Sequence, residues 1–378
     1  MFIGVPREIH RHEHRVGLNP SAVARLNREG HTVFVESRAG ERAFFSDQDY
    51  QNVGAQIVYS PDEAYQRADI VCRVGMLAPA EMELIRPGSA ICAFHHLAVT
   101  PREMVDTLLE AEVTLIGYEI IRDAENDLPV LVPFSEMGGR MAVQLAAYYL
   151  QAETDGRGVL MGIVPGVPPP TVLILGAGTV GRWAARQALA SGAHVIVLDA
   201  ELSKLREVNE ESGGQAVTML TSMLRLERYT AIADVVVGAV LLPGERAPFL
   251  VTEAMVKAMK PGAVIFDISI DQGGCIETSR PTTIEDPVFR VHDVLHYCVP
   301  NMTANVPRTA TRVLANAALP YILGIANSGL EQALQSDPGL AAGVYAYAGK
   351  MVNRKVAKAL GVEAASLEQI LREGQGLS

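Results

Sequence analysis

The stretch VLILGAGTVG places Gly176, Gly178 and Gly181 in a G-x-G-x-x-G spacing. Three requirements coincide around it: an apolar strand precedes it, a helical pattern follows it, and an acidic residue, Asp199, ends the next strand. Each part has its own physical reason. Gly176 permits a tight turn, Gly178 lets the backbone approach a diphosphate, and Gly181 lets helix and strand pack closely. The helix start presents free N–H groups and partial positive charge to the phosphates, with Thr179 and Val180 in its first turn. Asp199 accepts hydrogen bonds from both ribose hydroxyls and repels a 2′-phosphate, so NAD is favoured over NADP. The segment GAVLLPG (238–244) follows a further strand, where a loop would pass the nicotinamide ribose.

This turn needs a parallel sheet to support it. Short apolar runs such as DIVCRV, SAICAF and VTLIGYE alternate with helical stretches such as TPREMVDTLLEAE in the first third of the chain. Strand–helix alternation indicates α/β folding with helices on both sheet faces. SEMGGRMAVQLAAYYLQAE (135–153) has the spacing of a long helix, with Ser135 near its start, and reads as a linker. A second βα series opens at TVLILGAG and runs to RVHDVLHYCVPNM. The helix-rich remainder is expected to pack back on the first domain. The predicted architecture is therefore two Rossmann-like domains with parallel sheets. A discontinuous substrate domain takes residues 1–130 plus 306–378, and a central NAD-binding domain takes 131–305.

Composition narrows the partners. The net charge of −11 opposes nucleic-acid binding, which needs a basic surface to displace counterions. No run approaches the roughly 18 apolar residues of a membrane span, and the charged N-terminus does not read as a signal peptide. Cys72, Cys92, Cys275 and Cys298 show no C-x-x-C spacing, so reduced thiols and a cytoplasmic location are expected. His10, His12 and His14 in HRHEH share a face only on a strand and lack a completing carboxylate pattern. They read as a solvated loop, and no metal site is expected.

Longer motifs carry a resemblance. GVPRE…RVGLNP, HHLA, PFSEMGGRMA, GRGVLMGIVPGV, LGAGTVG, KPGAVIFDISIDQGGCIETSRPTT and VPNMTANVPRTAT resemble alanine dehydrogenase and the related NAD-binding part of proton-translocating transhydrogenase, over nearly the whole chain. The resemblance implies an NAD-dependent oxidoreductase that interconverts an L-amino acid with its 2-oxo acid and ammonia. It implies that Arg15 binds the substrate carboxylate, His96 acts as acid/base at the keto group, and Asp271 assists proton transfer. It also puts Ser135, Thr179, Val180, Asp199, Lys204, Val240, Leu241, Ile268, Asp271, Arg280, Val299, Asn301 and Met302 beside NAD. A homo-oligomer, hexamer or dimer, is implied as well. The residue types suit this work: a guanidinium fork grips a carboxylate at two points, and histidine titrates near neutrality.

One position departs from the pattern. Where the family holds a second basic substrate ligand, a lysine, this chain has Gly75. Three readings follow. Arg73, two residues earlier on the same strand, substitutes for the missing ligand. Alternatively the vacated volume admits a larger amino acid or a secondary amine of opine type. In the third reading the protein binds NAD(H) without catalysis.

Overall fold

The computed structural model describes residues 1–240 and 247–375. The chain divides into two compact units. One is Met1–Pro133 with the segment from Ala304 onward, and the other is Phe134–Thr303.

The first unit begins with six strands: β1 (Phe2–Val5), β2 (Thr32–Glu36), β3 (Gln56–Val58), β4 (Ile70–Gly75), β5 (Ala90–Phe94) and β6 (Thr114–Gly117). They lie parallel in the order β3-β2-β1-β4-β5-β6. Helices cover both faces, so strands such as AICAF are buried along their whole length rather than alternating. Helix Pro20–Arg28 starts where the sequence signals it. The Asn19 side chain accepts from the Ala22 N–H at 2.9 Å, and Pro20 fills the first position.

The second unit contributes β7 (Thr171–Leu175), β8 (His194–Asp199), β9 (Val217–Leu220), β10 (Val235–Gly238), β11 (Val264–Asp267), β12 (Val288–Val291) and β13 (Val294–Tyr297). Their order is β12-β13-β11-β10-β7-β8-β9, parallel except for the β12–β13 hairpin. The chain winds outward in both directions from β7, which makes the carboxyl end of β7 the switch point where such sheets bind ligands. Helix Val132–Tyr149 packs Ala142, Val143 and Ala146 into the same core as Val172 and Ile174. It starts three residues before the expected position, because Pro133 is tolerated within a first helical turn. Ser135 thus lies inside the helix and does not cap it, and the chain leaves the helix before residue 153.

After residue 303 the chain returns to the first unit. Helix Pro307–Ser328 is followed by β14 (Val344–Tyr347) and β15 (Lys350–Met351). β14 pairs antiparallel with β6, completing an eight-stranded sheet.

Candidate active-site residues in the two units

In the second unit, helix Thr179–Ala190 opens at Gly178 with no side-chain cap, so its first amides and the positive end of its dipole are left for an anion. The three glycines of the turn are required for three different reasons. Gly176 has φ +105°, and a Cβ there would stand 2.5 Å from the Ala239 carbonyl oxygen. A Cβ on Gly181 would stand 1.8 Å from the Gly176 oxygen. A Cβ on Gly178 would meet nothing within 4 Å, which is the open approach a diphosphate needs. Asp199 ends β8 beside this turn. One of its oxygens accepts from Ala177 N–H at 2.6 Å and the other from Glu201 N–H at 2.8 Å, which orients the carboxylate and leaves lone pairs for hydroxyl donors. The cradle therefore fits a dinucleotide.

The ends of β10, β11 and β13 bring together another group of expected residues. Val240 N–H donates to Ser269 Oγ at 2.9 Å. Ile268 packs on the core that contains Val299 and Met302. Asp271 lies in the 3₁₀ turn Ile268–Gln272, and its Oδ1 accepts from Asn301 N–H at 3.0 Å. Asp267 is buried and gathers Cys275 N–H at 3.0 Å and Ile276 N–H at 3.2 Å, fixing the loop that carries Asp271. Burial pushes the Asp267 carboxyl up, only partly offset by the hydrogen bonds it accepts. A structural role for Asp267 as a loop cap is legible in the sequence, whereas Ser269 was not drawn from it as part of this site. Two expected residues are otherwise engaged: Lys204 Nζ pairs with Glu201 at 2.6 Å on the surface, and the Arg280 guanidinium lies 4.3 Å from the centre of the Phe289 ring. Leu241 lies outside the described residues.

In the first unit, Arg15 is buried and lines a cavity of about 190 Å³ with Arg7, Glu8, Glu13 and Arg42. Glu13 grips it from one side, taking Nε at 2.7 Å, Nη2 at 2.5 Å and the Arg15 backbone N–H at 3.0 Å. Burial pulls the Glu13 carboxyl up, but the Arg15 charge and these bonds more than offset it and hold it below the ordinary carboxylate range. The following residues seat the loop. A Cβ on Gly17 would stand 2.2 Å from the Cys72 carbonyl oxygen, and Val16 N–H donates to Thr311 Oγ1 at 3.2 Å on the returning helix. Glu13 sits two residues before Arg15, a signal the sequence reading passed over.

The two histidines of HHLA differ sharply. His95 is 1% exposed, with Nε2 3.1 Å from the Ile91 carbonyl oxygen, and burial holds its pKa below the usual value. His96 is half-buried and left-handed (φ +48°), with its ring stacked on Phe94 at 6.1 Å. Of the pair, His96 is therefore the histidine whose side chain is not fully buried.

Arg73, expected as the substitute substrate ligand, turns its guanidinium to carboxylates inside the first unit. It is 1% exposed, and its guanidinium is taken up by Glu8 at 2.8 Å, Glu81 at 2.5 Å and the Tyr65 hydroxyl. The two-residue spacing does bring both positions to one neighbour: a Cβ on Gly75 would lie 4.0 Å from Glu8 Oε2, with nothing else that close. The charge of Arg73 is nevertheless spent inside the fold, because a buried guanidinium must be matched by buried carboxylates. Glu8, 65 residues away, and Glu81, eight residues on, are the residues that decide this. Among the described residues no group of three or more His, Cys, Asp or Glu is arranged to hold a metal ion.

Comparison with known proteins identifies the family. Residues 4–138 match the family model described as alanine dehydrogenase/PNT, N-terminal domain, and residues 142–354 match the corresponding C-terminal domain. An alanine dehydrogenase of Mycolicibacterium smegmatis is 45% identical over 98% of this chain and 100% of its own. One from Mycobacterium tuberculosis is 46% identical over 96% of this chain and 97% of its own. A solved L-alanine dehydrogenase superposes with a TM-score of 0.90 at 42% identity, covering 96% of this chain and 99% of that one. A transhydrogenase from Sinorhizobium meliloti, at 23% identity and a TM-score of 0.80, shares the fold over 93% of this chain and 100% of that one.

Proposed function

The chain belongs to the alanine dehydrogenase/PNT family, and from that premise we propose how its residues divide the work of an NAD-dependent amino-acid dehydrogenase. Such an enzyme interconverts an L-amino acid with its 2-oxo acid and ammonia. The observation that carries the reading is Arg15, clamped by Glu13 and lining a cavity in the same unit as the half-buried His96. Arg15 would hold the carboxylate of the substrate, since a guanidinium fork can grip a carboxylate at two points. His96 would give a proton to the carbonyl oxygen during amination of the oxo acid and take one back in the reverse direction. Asp271 would assist the proton exchanges of ammonia and water. Gly176, Gly178, Thr179, Val180, Gly181 and Asp199 would hold the dinucleotide, with Val240, Ile268 and Val299 to Met302 toward the nicotinamide. When bound, NAD supplies the hydride acceptor or donor of the reaction.

The open space over Gly75 favours a second reading of the substrate, an amino acid or amine larger than alanine. NADH consumption measured against a panel of 2-oxo acids with ammonia or primary amines tests both. Pyruvate turnover supports the alanine reading. Turnover of bulkier acids, with pyruvate used only by Gly75→Lys, supports the larger substrate. Bound NADH with no turnover across the panel would refute an enzymatic role.

A homo-oligomer is part of the proposal. The segment 159–168 carries exposed Leu160, Ile163 and Val167 around a Val164–Val167 bridge, an apolar surface suited to burial between subunits. Light scattering of the wild type and of Ile163→Asp tests it, with a lower mass expected for the variant. No helix among the described residues is long and apolar enough to cross a membrane. A cytoplasmic setting fits the four buried free cysteines.

A further inference from the structure

His96 is a non-glycine residue in the left-handed region (φ +48°, ψ +40°). Few residues of this type adopt that conformation without being held there. What holds it comes from elsewhere in the sheet. The His96 backbone N–H donates to Glu119 Oε1 at 2.6 Å, and the same oxygen accepts from the Tyr345 hydroxyl at 2.9 Å. Glu119 follows β6 in a short 3₁₀ turn, and Tyr345 lies on β14 of the returning segment. Glu119 is 6% exposed, and its other oxygen, Oε2, is buried with no hydrogen-bond partner among the described residues. On the other side, Thr100 Oγ1 donates to the His96 carbonyl at 3.2 Å. The imidazole is thereby presented over Phe94 instead of continuing the line of β5.

We propose that Glu119 is a positioning residue: its Oε1, steadied by Tyr345, fixes the left-handed backbone of His96 and so aims the imidazole. This rests on the role given to His96 above, but the backbone contact stands apart from it. The part played by the carboxylate is that of an acceptor for two donors, and an amide oxygen does the same. Since Oε2 has no partner, an amide nitrogen in its place breaks no existing bond.

Three variants test the inference: Glu119→Gln, Glu119→Ala and Glu119→Met, the last keeping the side-chain volume should the alanine variant not fold. Steady-state reductive amination of pyruvate is read alongside NADH affinity by fluorescence. For Glu119→Ala or Glu119→Met, kcat should fall about 10- to 100-fold, as for a displaced catalytic group. KM for pyruvate and the NADH Kd should stay within about twofold, because binding contacts are untouched. Glu119→Gln should restore kcat. Unchanged kcat in the alanine and methionine variants, or a glutamine variant as impaired as they are, overturns the proposal. Hydrogen exchange at the His96 amide gives a readout independent of turnover. Protection should be retained in wild type and Glu119→Gln and lost in the other two; equal protection in all four proteins overturns the proposal. If no protein in the set consumes NADH with any acid of the 2-oxo acid panel while the exchange pattern holds, the functional reading fails and the positioning role survives.

Discussion

His96 comes two residues after β5 and Asp271 four residues after β11, and behind each a buried carboxylate accepts from the backbone of the loop or turn that carries it. The sources of these carboxylates differ. Asp267 reaches Cys275 and Ile276, eight and nine residues further along its own loop. That loop turns on Gly273 and Gly274, both with positive φ. Glu119 reaches His96 across 23 residues of sequence and is itself steadied by Tyr345, 226 residues away. The Asp271 loop is thus built from its own residues, whereas the His96 turn depends on three separated segments. A locally built loop keeps its shape when distant packing loosens. A turn assembled from afar couples the geometry of one side chain to the integrity of the whole sheet.

The largest test of this contrast removes the two presented groups. His96→Ala should lower kcat by about 100- to 10,000-fold, the range for losing a general acid/base. Asp271→Asn should cost less, near the lower end of that range, because Asn keeps the acceptor for the Asn301 N–H. Equal losses in the NADH assay would mean that the two groups share the proton work evenly.

The next effect comes from the local loop. A Cβ on Gly274 would stand 2.9 Å from Asp267 Oδ2 at φ +78°. Gly274→Ala should therefore destabilise the protein by about 1 to 3 kcal/mol, through strain and overpacking, in urea unfolding. Wild-type stability in this variant would show that the loop does not depend on its glycines.

Asp267 also supplies a pH test. Burial raises its pKa above the ordinary 3.8, so its contribution to stability is fully present below that value. It declines as the pH rises through the raised pKa, because the folded state must then accommodate a buried charge. The Tm of the wild type relative to Asp267→Asn should accordingly fall as the pH rises from below 3.8 toward neutrality. A constant difference would show that the hydrogen bonds fully compensate burial.

The smallest effect is expected at Gly75. A side-chain methyl there meets only Glu8 Oε2 at 4.0 Å, so Gly75→Ala should change stability by less than about 0.5 kcal/mol. A larger loss would mean that the space above β4 is filled in the folded protein. That would remove the case for a bulkier substrate.

The nucleotide turn, its acidic partner Asp199, the alternation of strands and helices and the family itself were legible in the amino-acid sequence. Each rests on neighbours in the chain: glycine spacing sets backbone approach, and a run of buried strand residues is apolar whichever helix covers it. The run from Asp267 through IDQGG belongs to the same class, since its two carboxylates and left-handed glycines serve one local loop. The fate of Arg73 was decided only in three dimensions. Its spacing from Gly75 put both positions beside Glu8, but Glu8 arrives from 65 residues away and with Glu81 absorbs its charge. The resemblance already named His96, but the burial of His95 and the contacts of Glu119 and Tyr345 around His96 appear only in the fold. Burial and charge pairing are properties of what the folded chain brings together, and no local spacing records them.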